Sequence, residues 1–292
     1  IVAKFATESG VKKAIFNFAL NTAKKNLPHV CRDIPRKGLF AIRFNVADKL
    51  VFSKLKAAIG LDRLRYAISG GAPLAVSDAE FFIGMGLKIL EGYGLTETTP
   101  VITYNRPWFI KPGTVGQAIP ETKVKIADDG EILVKGPQVM LGYYKNKAAT
   151  EEVMTKDGYF RTGDIGVIDE DGCLKITGRI KDIIVTAGGK NISPQNIENS
   201  IKESPYIEEI AVIGDKRKYL SALVIPDFEA VGKWAKQKGI KFANNSDLTR
   251  NEEVIQLIGN EIAKYTKQYS RVEQIKKFTL LEAVWTQETG EL

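Results

Sequence analysis

Four short segments carry residue types that could act together on a nucleotide. Gly70-Gly71-Ala72-Pro73 and Glu91-Gly92-Tyr93-Gly94-Leu95-Thr96-Glu97 are glycine-rich. Glycine has no Cβ, so it lets the backbone approach a planar group closely. Within them Tyr93 offers an aromatic face and Thr96 a hydroxyl for a phosphate oxygen. Glu97 offers a carboxylate of the kind that holds Mg2+ together with substrate phosphates. The third segment, Tyr159-Phe160-Arg161-Thr162-Gly163-Asp164, ends in an Asp; a carboxylate on a loop can accept hydrogen bonds from both hydroxyls of a ribose. The fourth is Gly178-Arg179-Ile180-Lys181-Asp182, followed by Thr186-Ala187-Gly188-Gly189-Lys190. Taken singly, each glycine-rich segment reads equally well as a tight turn.

Several other chemistries are excluded. The chain has one histidine, His29, which a Ser-His-Asp triad would have to use, and no G-x-S-x-G elbow, so a hydrolase of that kind is not expected. No G-x-x-x-x-G-K-[ST] loop occurs. Gly84 and Gly86 are followed by Ile89 where a dinucleotide fingerprint needs its third glycine. The two cysteines, Cys31 and Cys173, are far apart; they form neither a disulfide framework nor a metal cluster, and they fit a reducing, cytoplasmic setting.

The elements that must position these residues follow from pattern. Leu64–Ile68 reads as a strand, 76–84 as a helix and Leu87–Leu90 as a buried strand, so both glycine-rich turns emerge at the carboxyl ends of strands, where open α/β sheets bind ligands. Residues 113–178 are strand-rich, with Thr122–Ile126, Glu131–Val134 and Gly166–Ile168 as strands and Asp171-Gly172 as a hairpin turn; a small barrel or curled sheet is expected. Beyond residue 182, Ser193 and Pro194 open a helix. Strands follow at 208–213 and 219–225, and Thr249 with Glu252 makes a capping box for a helix to about 269. A last strand lies near 275–281. The expected fold is α/β plus α+β in three parts: 1–112, the end of a large α/β domain; 113–180, a β-barrel subdomain; and 181–292, a mobile C-terminal α+β domain.

With 292 residues, the chain is long enough for about two domains, and no apolar run approaches the ~18 residues a membrane span needs. It opens on Ile1 rather than Met, without a signal-peptide pattern. The net charge of +7 is concentrated at the start, where residues 1–66 carry 14 Lys/Arg against 4 Asp/Glu. Residues 11–27 and 46–59 read as basic amphipathic helices, packed on the surface or in peripheral contact with a membrane. No zinc-finger, helix-turn-helix or stacked-aromatic motif accompanies the charge, so nucleic acid is not an expected partner.

The order G-G-A-P, E-G-Y-G-L-T-E, G-Y-F-R-T-G-D and G-R-I-K-D…G-G-K-x-I-S-P-x-x-I-E resembles the adenylate-forming superfamily of acyl-CoA synthetases, adenylation domains and luciferase. Gly130–Pro137 and Gly142-Tyr143 also fit. Ile68–Leu74, Asn105-Arg106-Pro107 and Thr186–Ile192 look most like long-chain fatty acyl-CoA synthetases. The resemblance implies a ligase that joins a fatty acid to CoA through acyl-AMP, with ATP/AMP, Mg2+ and CoA as cofactors and co-substrate. Carried over to this chain, Gly71, Ala72 and Tyr93 would sandwich adenine, within the turns that also hold Gly70 and Gly92, with Glu91 near its amino edge. Thr96 would touch the α-phosphate, Glu97 hold Mg2+, and Asp164 with Arg179 hold the ribose. Lys181 matches the hinge, and Gly188 and Gly189 the loop beside the CoA pantetheine. The family's phosphate loop has no counterpart here. Thr289-Gly290-Glu291-Leu292 resembles the lead-in to the family's catalytic lysine. The chain taken alone is therefore expected to be inactive. The alternatives are a non-catalytic nucleotide- or lipid-binding protein of the same fold and a peptide-synthetase-type adenylation domain.

Overall fold

In the computed structural model, residues 10–283 and residue 285 are described; the Thr289–Leu292 lead-in lies outside them. The chain separates into two compact units, the first ending at Thr177 and the second beginning at Gly178.

The first unit opens with helix α1, Gly10–Cys31, whose buried side includes Phe16, Ala19 and Ala23. Helix α2, Gly38–Ala47, leads through a π-turn at Asp48–Phe52 into α3, Ser53–Ala58. The single helix expected over 46–59 is therefore divided, because apolar residues three and four apart face one side whether or not a wider turn intervenes. Strand β1, Tyr66–Ser69, helix α4, Val76–Gly84, and strand β2, Lys88–Gly94, form a β-α-β unit with β1 and β2 parallel. Helix α4 lies tightly on α1: a Cβ on Gly84 would sit 2.8 Å from the Ala23 carbonyl oxygen. Buried Asn26 bridges them, its Nδ2 donating to Gly84 O at 2.9 Å while Oδ1 accepts from Arg36 Nε at 2.6 Å. Ala19, Ala23, Phe44, Phe52, Met85 and Leu87 make the core beneath.

Strands β3, Val101–Tyr104, and β4, Gln117–Ala118, extend the sheet in the order β1-β2-β3-β4, with β3 antiparallel to both neighbours. A second four-stranded sheet comprises β5, Lys123–Ile126, β6, Glu131–Lys135, β7, Phe160–Ile168, and β8, Leu174–Arg179, in sequence order. Helix α5, Lys147–Val153, lies between β6 and β7. Ile102, Ile132, Val134 and Leu174 form the core here. Strand β8 carries the chain into the second unit.

The second unit begins with a short hairpin of β9, Ile184–Val185, and β10, Asn191–Ile192. Helix α6, Pro194–Ile201, follows. Strands β11, Ile207–Ile213, and β12, Leu220–Pro226, pair antiparallel, and β13, Ile275–Leu280, joins β12 in parallel. Helices α7, Phe228–Gln237, α8, Asn245–Arg250, and α9, Glu252–Thr266, lie between β12 and β13. Ile197, Ile201, Val224, Val231, Ile258 and Ile262 belong to one buried cluster. Two capping assignments are corrected. Ser193 occupies the position before α6 without a side-chain cap bond. Helix α9 is capped by Asn251, whose side chain accepts from the Glu253 and Val254 amides; Thr249 instead lies in the last turn of α8 and donates to Ser246 O at 3.1 Å.

Candidate functional site

The parallel register sets the two glycine-rich segments side by side. Ser69 lies opposite Glu91, so Gly70 leaves β1 beside Gly92, and a Cβ on Gly70 would meet Gly92 O at 3.2 Å. Gly71 takes φ +84°, a conformation that favours glycine, and residues 70–73 are exposed. Glu91 to Gly94 is not a turn. These residues continue β2, because β3 pairs with them through Gly92–Tyr104 and Tyr93–Thr103. The chain turns only afterwards, in the 3-10 segment Thr96–Thr98. There the buried Thr98 hydroxyl accepts from Leu95 N at 3.0 Å and donates to Pro100 O at 2.8 Å. Gly94 has no room for a side chain: a Cβ would lie 1.5 Å from Pro100 O.

Glu91 is buried. Desolvation pushes its carboxyl up to about 7, against a hydrogen bond from the Gly113 backbone that favours the charged form. The loop carrying Gly113 is held by Asn105, fully buried, which donates to Thr114 O at 2.6 Å and accepts from Lys111 N at 2.8 Å. The Asn105 amide itself donates to Glu91 O at 2.8 Å. Thr96 is exposed and Glu97 half-buried. The Tyr143 hydroxyl donates to Glu97 Oε1 at 2.9 Å, and Met140 N donates to Glu97 O at 2.8 Å. Sequence reasoning placed Tyr143 in a fitting motif without seeing this contact.

Asp164 lies on strand β7 rather than on a loop, and it is buried. The Tyr93 hydroxyl donates to its Oδ2 at 2.6 Å, joining two motifs 71 residues apart. Gly70–Ala72, Glu91–Glu97 and Asp164 thus belong to one unit, with direct contacts between the first and second segments and between the second and third. Arg179, Lys181, Gly188 and Gly189 belong to the other. Arg179 ends β8, and Lys181 lies exposed in the 3-10 turn Ile180–Asp182. Gly188 and Gly189 are exposed at the tip of the β9–β10 hairpin, which Thr186 closes by exchanging backbone and hydroxyl bonds with Lys190. His29 stacks on Phe40 at 5.0 Å between ring centroids.

Among the described residues, no group of three or more His, Cys, Asp or Glu is placed to hold a metal ion. An all-protein cage is thereby absent from them, whereas a single carboxylate meeting an ion that arrives on substrate phosphates fits Glu97.

Models of the AMP-binding enzyme match residues 17–144, and of the AMP-binding enzyme C-terminal domain residues 181–286. The chain belongs to this family of adenylate-forming enzymes. Within it, the chain is 44% identical over 256 residues to the long-chain-fatty-acid–CoA ligase FadD15 of Mycobacterium bovis, covering 87% of this chain and 42% of that protein. It therefore spans less than half the length of that relative. The ATP-bound structure of MatB from Rhodopseudomonas palustris is 30% identical, with a TM-score of 0.57 over 75% of this chain and 42% of that one. The A domain of a carboxylic acid reductase from Segniliparus rugosus shares the fold at a TM-score of 0.66 and 22% identity, covering 94% of this chain and 42% of that one.

Proposed function

We propose that this chain supplies the adenosine-binding and hinge-bearing parts of an ATP-dependent long-chain fatty acid:CoA ligase. In the first half-reaction a fatty acid carboxylate oxygen attacks the α-phosphorus of ATP and pyrophosphate leaves. In the second the CoA thiol attacks the acyl carbon and AMP leaves. Gly71, Ala72 and Tyr93 flank adenine, with Gly70 and Gly92 keeping the backbone thin. Glu91 accepts from the adenine amino group, Asp164 accepts from the ribose hydroxyls, and Arg179 donates to a ribose oxygen. Thr96 donates to the α-phosphate. Glu97 meets Mg2+, which when bound offsets phosphate charge. Gly188 and Gly189 leave room for pantetheine.

The bond from the Tyr93 hydroxyl to Asp164 carries this reading. It sets an aromatic face and a ribose-accepting carboxylate one side chain apart, and a carboxylate has lone pairs enough for Tyr93 and the ribose together. Calorimetry tests it: the chain binds AMP in preference to GMP and pyrophosphate, and Asp164→Ala costs roughly 1–3 kcal/mol of AMP affinity. Equal binding of AMP and pyrophosphate overturns it.

A second property concerns α2 and the π-turn. Leu39, Ile42, Val46 and Leu50 are all exposed, and they fall on one helical face with Lys49 and Lys54 nearby. Among the described residues no helix is long and apolar enough to cross a membrane. The stripe suits peripheral contact with an anionic lipid surface. Flotation with phosphatidylserine vesicles should recover the chain and should fail for a Leu39→Ser/Ile42→Ser variant; equal flotation of both removes this property.

A further inference from the structure

Strand β7 carries two more residues than its partner at the point where it presents Asp164. Val134 pairs with Phe160 and Leu133 with Arg161, but Glu131 pairs with Ile165. Ile132 alone therefore faces Thr162, Gly163 and Asp164. A bulge leaves extra residues without ladder partners, and buried backbone amides must find others. Gly163, at φ +73°, donates its amide to Glu131 Oε1 at 2.9 Å. The Asp164 amide donates to Thr162 Oγ1 at 3.1 Å, and the Thr162 hydroxyl donates to Ile132 O at 2.8 Å.

Glu131 is 2% exposed. A carboxylate so placed is costly unless paired and hydrogen-bonded. Its Oε2 lies 2.6 Å from Arg161 Nη2, a contact held by charge rather than by a well-aligned hydrogen bond. Both carboxylate oxygens thus grip the Arg161–Gly163 stretch, one residue before Asp164. None of the proposed steps uses Glu131, and a hydrophobic residue would fill a core strand position at less cost.

We infer that Glu131 is a positioning residue for the nucleotide site: it fixes the bulge of β7 so that Asp164 stands where it meets both Tyr93 and the ribose. This rests on the reading of Asp164 as the ribose acceptor.

The test compares AMP with 2′,3′-dideoxy-AMP by calorimetry on the chain, alongside thermal unfolding. The wild type prefers AMP, and Asp164→Ala abolishes the preference. Glu131→Met, which removes the acceptor, and Glu131→Asp, which keeps charge but no longer reaches Gly163, each lower AMP affinity about tenfold while leaving dideoxy-AMP affinity unchanged. Glu131→Gln keeps an acceptor for Gly163 and retains most of the preference. A purely structural Glu131 would lower stability or weaken both nucleotides alike. The inference is overturned if folded Glu131→Met or Glu131→Asp keeps the wild-type ratio while Asp164→Ala loses it. If Asp164→Ala itself keeps the ratio, the ribose reading fails instead. Should Glu131→Met not fold, Glu131→Asp decides alone.

Discussion

Glu91 is where burial and, on the proposed function, nucleotide selectivity would both depend on pH. It is an acid whose burial raises its pKa from 4.5 to about 7, so the folded chain holds a proton over a range where the unfolded chain has lost it. Stability therefore falls as pH rises through that window, by up to ~3 kcal/mol if the whole shift is realised. Glu91→Gln cannot ionise and should be more stable than wild type in urea at pH 8, with the difference vanishing near pH 4. A gap of the same size at both pH values would mean that burial does not perturb Glu91. The same shift has a binding consequence. An adenine amino group favours the ionised carboxylate, so AMP binding at pH 7 should release protons, measurable as a dependence of the binding heat on buffer ionisation enthalpy. GMP presents a carbonyl at that ring position and should not. Glu91 could be named from the sequence because it opens a motif that resembles one of the adenylate-forming superfamily. Its raised pKa could not, since that depends on what buries it.

At the scale of elements, the site depends on loops that brace strand ends. Asn105 occupies the start of the β3–β4 loop and satisfies Thr114 O and Lys111 N inside a fully buried environment. Asn105→Ala leaves both backbone groups without those partners and should lower unfolding stability by about 3 kcal/mol, with AMP affinity falling as well because Gly113, on the same loop, faces Glu91. Denaturant titration and calorimetry on the one variant check both, and an unchanged midpoint would show that the loop holds without Asn105. The β-α-β unit, the β5–β6 pair and α9 were legible because periodicity and turn residues are local properties. The register of β6 against β7 was not. Alternation shows which face a residue takes but not its partner across the sheet, so the pairings of Glu131 with Gly163 and of Tyr143 with Glu97, separated by 32 and 46 positions, left no signal, and Glu131 and Tyr143 stood only in motifs without a stated role. The same limit applies at Asp164. Its segment reads as a loop because Thr-Gly-Asp breaks the alternation, whereas the strand continues through it as a bulge.

At the scale of the whole molecule, the chain divides between Thr177 and Gly178, and the 3-10 turn holding Lys181 follows three residues later. Residues joining compact units are where φ/ψ changes are absorbed when those units move. Lys181 is exposed and flanked by strands β8 and β9, so its side chain has no packing role to explain its place. Under the proposed function, two half-reactions would share one nucleotide pocket, the first letting pyrophosphate leave and the second admitting the CoA thiol, and would need different groups beside that pocket in turn. A hinge at Lys181 would meet that need. Proline there locks φ near −65° and removes the amide donor. In a protein that joins this chain to the further length its relatives have, Lys181→Pro should leave one half-reaction within about threefold of wild type and slow the other by roughly a hundredfold or more, the loss expected when a conformational step is blocked. Acyl-AMP formation followed by pyrophosphate release, and thioester formation from supplied acyl-AMP, separate the two. Lys181→Ala serves as the control and should change neither by much, since the backbone rather than the ammonium does the turning. Equal losses in both half-reactions for Lys181→Pro, or a loss confined to thermal stability, would make Lys181 an ordinary surface residue and move the pivot elsewhere in 178–183.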